Sequence, residues 1–246
     1  MLAPVVTAPA SRPSLAARFV RDDAAFRSAV AGWDSRRALP AAAEDAVGRE
    51  QVLELRLAGD PRVYRVVMRT LPKRLRADVA DDVAALHDLR ALAPAKGTTR
   101  PKTHLGPALP LATLRRFYRE AQAHTGIPWE YLAAINYVET HFGRLRQPSW
   151  VGAQGPMQFM PSTWASYGVG DVHDPHAAIL AAARYLRAAG GPRDMSTAVW
   201  HYNPSSRYVD AVARYVARIR RSRLGLAAIY ARRLLARGPH GWHRLD

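Results

Sequence analysis

Apolar positions recur at helical spacing through most of the chain. Phe19, Phe26, Val30 and Trp33 share one amphipathic pattern, Val63, Val66, Val67 and Leu71 follow at i, i+3, i+4 and i+8, and Leu75, Val79, Val83, Leu86 and Leu89 form a further stripe. The segment LELRL, residues 53–57, alternates as a strand would, but it is too short to outweigh the helical reading. Farther on, Leu111, Leu114, Phe117, Tyr118 and Ala121 open another helix. Tyr131, Ile135, Val138 and Phe142, with Leu132 beside them, mark the next. Gly126 ends the first of these two, and Pro128 suits the first turn of the second. A helix capped by Asp174, with Pro175 at its first position, runs through Ile179 and Leu186 to Gly190. The last stripe holds Tyr208, Val212, Tyr215, Val216 and Ile219, with Arg218, Arg220 and Arg221 placed to complement its C-terminal dipole. The expected fold class is mainly α.

The breaks in this pattern suggest the organisation. Residues 94–110, PAKGTTRPKTHLGPALP, carry four prolines and two glycines with almost no periodicity, so they read as a Pro/Gly linker. The expected layout is a mobile Pro/Ala-rich segment at 1–14, a small helical accessory domain at 15–93, the linker, a second helical domain at 111–222 and a basic C-terminal tail at 223–246. The Arg-rich faces of residues 15–93 read as solvated helix surface. A fragment cut from about residue 105 onward should then keep the second domain's chemistry.

Composition narrows the possible functions. Of 246 residues, 48% are hydrophobic, enough for a sizeable core. No apolar run reaches membrane-spanning length, and the opening residues lack a basic region and a long apolar stretch, so no complete signal peptide is visible. With no cysteine, disulfides, thiolate zinc sites and cysteine nucleophiles are excluded. The net charge is +16, and all but three of the 36 basic residues are Arg, so the chain should seek anionic polymers such as nucleic acid, anionic lipid or phosphate-bearing wall polymers.

Against this background Glu139, in NYVETHFG, stands out. It lies seven residues after Leu132 and four after Ile135, which projects its carboxylate on the apolar side of a helix. A carboxyl group among apolar side chains prefers to stay protonated, which qualifies Glu139 as a general acid. An ion pair with Arg144 or Arg146 near the helix end explains the position equally well.

Three motifs follow one another in the second domain: Glu139-Thr140, then GAQGPMQFMPSTW from Gly152 to Trp164, then WHYNPSSRYV from Trp200 to Val209. In order and spacing, over roughly residues 111–221, the chain resembles the lytic transglycosylases, bacterial enzymes of the goose-type-lysozyme-like SLT superfamily that cleave peptidoglycan glycan strands. Val138-Glu139-Thr140-His141-Phe142-Gly143-Arg144 is similar to the VETxxGR segment of the membrane-bound B type. The resemblance implies a lysozyme-like helical catalytic domain preceded by the small helical one, with Glu139 as the single catalytic acid and base. It implies that Gln158 lines the sugar cleft and that Ser149 contacts substrate near the reacting sugar. Tyr202 and Asn203 match the family's Tyr-Asn pair, whose phenol hydrogen-bonds the glutamate region, and Tyr185 and Tyr208 match aromatic positions of the cleft. Two departures are visible: Gly155-Pro156-Met157-Gln158 replaces the usual Gly-Leu-Met-Gln, and His201-Tyr202-Asn203 replaces Ala-Tyr-Asn. The calcium loop of some B-type enzymes is absent, since GVGDVHDP lacks the ligand series.

The chemistry can also be approached through the carboxylates. Most glycoside hydrolases need two, and the second domain offers Glu120, Glu130, Glu139, Asp171, Asp174, Asp194 and Asp210. Glu120 belongs to a helix surface, Glu130 and Asp210 to first turns and Asp174 to a cap, leaving Asp171 and Asp194 as loop candidates beside Glu139. A lone carboxyl suffices if the substrate supplies the nucleophile, its own 6-hydroxyl, closing a 1,6-anhydro ring.

Other readings remain. DVHDPH, residues 171–176, could suggest a metal, but HExxH is absent; no G-x-S-x-G elbow supports a serine triad. No cofactor or metal is expected. A basic helical module could bind nucleic acid, although the Arg residues are spread along the chain and resemble no recognised reader, so nucleic acid is not expected as a partner. A lysozyme-type muramidase that admits water is the alternative within the same fold. The expected partners are peptidoglycan glycan strands, with anionic wall polymers as a further possibility, and the expected location is extracytoplasmic.

Overall fold

The computed structural model describes residues 13–92, 103–238 and 241–245. Most of the segment expected to be mobile, and the first half of the expected linker, fall outside these. Among the described residues the chain is nearly all α, with eleven helices and one short hairpin.

Four helices form the N-terminal part: α1 (Leu15–Ala29), α2 (Ala41–Gly59), α3 (Pro61–Thr70) and α4 (Lys73–Ala91). Ser14 caps α1 by accepting the Ala17 N–H at 3.1 Å. LELRL lies inside α2, where Leu53, Glu54, Leu55 and Leu57 are all buried. Its alternation arises because this stretch of α2 is enclosed on several sides, so buried residues need not follow one stripe. Asp60 caps α3 through the N–H groups of Arg62 and Val63, with Pro61 at the first position.

The second part comprises α5 (Leu111–Thr125), α6 (Trp129–Thr140), α7 (Pro161–Tyr167), α8 (Pro175–Ala188), α9 (Met195–Tyr202) and α10 (Ser206–Arg221). Fully buried Tyr118, Leu132, Ile135, Met157, Ile179 and Leu186 anchor its core. Phe26, Val30, Leu39, Ala43, Val47 and Ala85 from the N-terminal helices belong to that same apolar cluster, so the two parts share one core. A second, smaller cluster around Phe19, Leu57 and Leu71 sits within the N-terminal helices.

Polar contacts join the parts as well. On α4, Asp78, Asp81, Asp82 and Asp88 face Arg207, Arg214, Arg218 and Arg221 of α10. Arg218 reaches Asp78 at 2.6 Å and Asp82 at 3.4 Å, and Arg220 pairs with Glu130 at 3.4 Å. The arginines assigned to a helix dipole are therefore largely engaged in ion pairs, and the partners of Arg218 and Arg221 sit on another helix. The N-terminal arginines are not simply solvated either: Arg49 and Arg74 pair with Asp22 and Asp23, both buried.

The stretch from residue 223, expected as a basic tail, instead folds into the body. It forms α11 (Gly225–Tyr230) and the antiparallel pair β1 (Leu235–Gly238) and β2 (Gly241–Arg244). Leu226, Ile229, Tyr230 and Ala231 enter the shared core. Arg232 is buried between Glu54 and Asp82, at 3.3 Å from the latter, and donates to the Tyr137 hydroxyl at 2.9 Å. Arg233 pairs with Glu44, and Arg244 with Glu44 and Asp45. Its positive charge alone predicts a solvated tail, whereas its apolar run Leu224–Ala231 and the acidic residues of α2 decide its place.

The far end of the expected linker is also docked. Gly106 N–H donates to Arg144 O at 2.9 Å, Arg146 N–H to His104 O at 2.9 Å, and the Tyr230 hydroxyl to Leu109 O at 2.9 Å. No helix among the described residues is long and apolar enough to cross a membrane.

Candidate active site

Helix α6 ends abruptly just after Glu139. His141, Phe142 and Gly143 all adopt left-handed backbone, with φ of 50°, 64° and 78°. Two non-glycine residues in this region cost free energy that the surroundings must offset. The Phe142 ring is buried at 5.7 Å from Tyr137 and 5.4 Å from Tyr230, which helps hold the reversal. Beneath it a buried polar chain ties α5, α6 and the GPMQ turn together. Tyr118 donates to Asn136 Oδ1 at 2.8 Å, while Asn136 Nδ2 and the Thr140 hydroxyl donate to Pro156 O at 2.8 and 2.6 Å. Gly143 N–H donates back to Thr140 Oγ1 at 2.9 Å.

The GPMQ turn needs its glycine. Gly155 has φ +73°, and a Cβ there would lie 2.0 Å from Val172 O. The turn closes with the Gln154 and Phe159 backbones exchanging hydrogen bonds at 2.8 Å. Gln158, itself at φ 51°, donates from its side-chain amide to Gly155 O at 3.0 Å.

Glu139 lies in the last turn of α6, with part of its surface accessible and its carboxyl enclosed by protein. Burial pushes the carboxyl up to about 7, against the opposing effect of the Tyr208 hydroxyl, which donates to its Oε1. Arg144 and Arg146 point elsewhere. Arg144 donates to His141 O at 3.0 Å and lies over the Tyr230 ring, and Arg146 donates to Pro107 O at 2.9 Å. The ion-pair explanation of Glu139 thus finds no support in the geometry. His141 next to it is held neutral: burial, then the Arg144 and Arg232 charges, lower its imidazole to about 3.

Two tyrosines sense the carboxyl, and one of them donates to it. Tyr208 is buried in the first turn of α10, and burial followed by the Glu139 charge raises its hydroxyl well above the usual range. Tyr202, at the end of α9, is raised by burial and then by the same charge. Its hydroxyl donates to Met157 O at 2.6 Å, bracing the GPMQ turn. The phenol that contacts the glutamate is therefore that of Tyr208, not that of the Tyr-Asn pair, because α10 begins facing the end of α6 while α9 ends facing Met157. Tyr185 donates to His201 O at 2.7 Å, and its ring lies 5.6 Å from Tyr202 and 5.1 Å from Tyr167.

Contacts thus link Glu139 to Tyr208, Tyr202 to the GPMQ turn that carries Gln158, and Tyr185 to Tyr202. Ser149 and Asn203 are linked to Glu139 by no hydrogen bond among the described residues. Ser149 Oγ accepts the Ala153 N–H at 2.9 Å, and Asn203 terminates α9, with its N–H on Val199 O at 3.2 Å. Tyr118 and Asn136 anchor the turn, yet in the sequence Tyr118 reads only as part of an apolar stripe and Asn136 does not stand out. An amide on the buried face of α6 was the available signal.

The remaining carboxylates have other partners or positions. Asp171 accepts the His173 N–H at 2.8 Å, and Asp174 caps α8 through Ala177 N–H at 2.7 Å. Asp194, placed in a loop by its glycine neighbours, is the cap of α9, and its bonds to Thr197 hold its carboxyl below the usual range. Glu120 pairs with His176 at 3.0 Å, Glu130 pairs with Arg220, and Asp210 is exposed on α10.

Comparison with known proteins finds likenesses that include this arrangement. Residues 116–217 match the family model described as Transglycosylase SLT domain. Over that stretch, less than half of the chain, the protein is similar to the transglycosylase SLT family. The chain is also similar to two curated proteins named membrane-bound lytic murein transglycosylase: form F from Thiobacillus denitrificans, 41% identical over 76 residues, and form F 2 from Alkalilimnicola ehrlichii, 38% identical over 77 residues. Each alignment covers 31% of this chain, but only 16% and 17% of the relatives' own lengths. Both carry the F designation, whereas the VETxxGR segment resembles the B type; the shared level is the SLT superfamily. No solved structure gives a significant match. All of α1 to α4, α11 and the hairpin lie outside the SLT match, although α1, α2, α4 and α11 contribute residues to its core.

Proposed function

We propose that the protein is a peptidoglycan lytic transglycosylase that cleaves the β-1,4 bond between N-acetylmuramic acid and N-acetylglucosamine, with Glu139 as both acid and base. The observation that carries this reading is the Glu139 carboxyl, enclosed by protein, raised to about 7 and held by one phenol. Protonated near neutral pH, it can donate to the glycosidic oxygen as the bond breaks. Positive charge then develops at the muramic sugar, and the carboxylate just formed faces it. The same oxygen takes the proton of that sugar's 6-hydroxyl as the hydroxyl attacks the anomeric carbon and closes the 1,6-anhydro ring, returning Glu139 to its starting state.

Tyr208 steadies the carboxylate between the two transfers. Gln158 and Tyr202 hold the GPMQ turn beside it, and Ser149, Asn203 and Tyr185 supply polar groups and ring faces for the sugars. The other carboxylates of the second part, as located above, give little support to a water-activating partner. That supports ring closure over hydrolysis. The net charge of +16 supports attraction to anionic wall material, and the substrate's location implies an extracytoplasmic site of action. Glu139→Gln should abolish cleavage of purified peptidoglycan without loss of fold; cleavage at a rate near that of the wild type would contradict the assignment.

A further inference from the structure

Three side chains away from Glu139 carry polar groups that the described residues leave unmatched. Tyr215 of α10 is only 2% exposed, with its ring edge-on to Tyr137 at 4.8 Å, and its hydroxyl makes no hydrogen bond among the described residues. The His141 imidazole, 4.7 Å from the same Tyr137 ring, has no hydrogen-bond partner among them either. Arg90, near the end of α4, is exposed, lies 5.9 Å from the Trp242 ring and pairs with no carboxylate among the described residues. A hydroxyl enclosed this far with no protein partner is uncommon in native structures and calls for a reason.

All three line one cavity of about 460 Å³. Its walls come from α2, α4, the end of α6, α10 and the C-terminal hairpin, and Leu55, Leu86, Leu89, Val138 and Leu235 make them largely aliphatic. That volume falls in the range of small-molecule sites, where an apolar lining with a few polar groups is usual. The other polar groups of the wall are already committed: Arg232 to Glu54, Asp82 and Tyr137, Arg233 to Glu44, and Gln51 to the Arg233 backbone. What is left is one positive charge, one imidazole held neutral, which can donate and accept, and one phenol that burial keeps protonated. Those groups suit an anionic head, and the aliphatic walls suit a hydrocarbon chain. Most of the lining lies outside the SLT match, so the cavity belongs to this chain's additions to that domain.

We propose that this cavity binds a free single-chain acyl anion, with its chain along the leucine walls, Arg90 supplying the charge for its carboxylate and Tyr215 and His141 the hydrogen bonds. The inference goes beyond the cleavage chemistry and does not rest on it, since binding is read with no glycan present.

Isothermal titration calorimetry of the full chain with decanoate, decanol and acetate tests it. Decanoate should bind saturably at one site, decanol about tenfold more weakly, and acetate not measurably. Arg90→Gln should weaken decanoate about tenfold and leave decanol unchanged. Tyr215→Phe should weaken decanoate about three- to tenfold while the unliganded protein keeps its Tm, because the hydroxyl removed has no protein partner to lose. Equal affinity for decanoate and decanol, uptake that never saturates, or variants that bind as the wild type does would overturn the proposal. Binding to vesicles containing phosphatidylglycerol but not to free decanoate would also overturn it, and would make this surface a membrane contact instead. A lower Tm for unliganded Tyr215→Phe would show that the hydroxyl already serves the fold, and would count against the site.

Discussion

At the scale of residues, the site depends on one carboxyl whose environment opposes its charge. Burial raises Glu139, and a lone phenol partly offsets that rise. Because the folded-state value lies above the unfolded one, this group's contribution to stability is fully present below about 4.5 and is lost as pH rises through about 7. Relative to Glu139→Gln, the wild type should therefore lose stability across that window, read as a falling difference in Tm. Activity should follow the same group. Since the proton donor regenerates itself, kcat/KM should show a basic limb near pH 7 without a matching acidic limb from a second carboxylate. Tyr208→Phe removes the hydrogen bond that favours the ionised form, so the basic limb should move to higher pH; movement to lower pH would contradict the role given to that hydroxyl. The importance of Glu139 was legible in the sequence because a charge on an apolar stripe is conspicuous. The identity of its phenolic partner was not, since Tyr202 and Tyr208 are near neighbours in sequence and only the orientation of α9 and α10 separates their roles.

At the scale of elements, the site depends on how α6 ends and on the turn packed beneath it. The left-handed run His141–Gly143 and the Thr140 hydroxyl's bond to Pro156 O fix one against the other. Thr140→Val keeps the shape but removes that hydroxyl, leaving Gly143 N–H without its acceptor, and should cost about 1–3 kcal/mol in denaturant unfolding. Gly155→Ala should be worse for activity than for secondary structure, because the new Cβ collides with Val172 O and displaces the turn that carries Gln158. Near-normal turnover in that variant would mean the turn can shift without harm. Helical periodicity made α5, α6, α8 and α10 readable, while α7 and α11, both short, offered too few turns for a stripe to form. Within α2, burial on several sides erased the periodicity that a surface helix would show.

At the scale of the whole molecule, the expected division into separable domains gives way to a common core and a shared layer of charge. Arg232 and Glu54 are both buried, and each is the other's partner. Glu54→Gln leaves a buried guanidinium with reduced compensation and should destabilise the fold by about 3–5 kcal/mol, measured by denaturant unfolding of the full chain. A fragment starting at residue 105 loses Asp78, Asp82 and Glu54 together, so it should unfold without a cooperative transition; a sharp one would show that the N-terminal helices are dispensable. Local sequence could not show this, since the pairs Asp82–Arg218 and Glu54–Arg232 join residues far apart in the chain. The function of the whole molecule turns on whether one carboxyl and the sugar's own hydroxyl complete the reaction. Mass spectrometry of purified peptidoglycan digested by the full chain tests this most directly. The expected products are muropeptides ending in 1,6-anhydro-N-acetylmuramic acid, each lighter by one water than the hydrolytic product and lacking a reducible end; a digest containing only reducing muramic ends would contradict it.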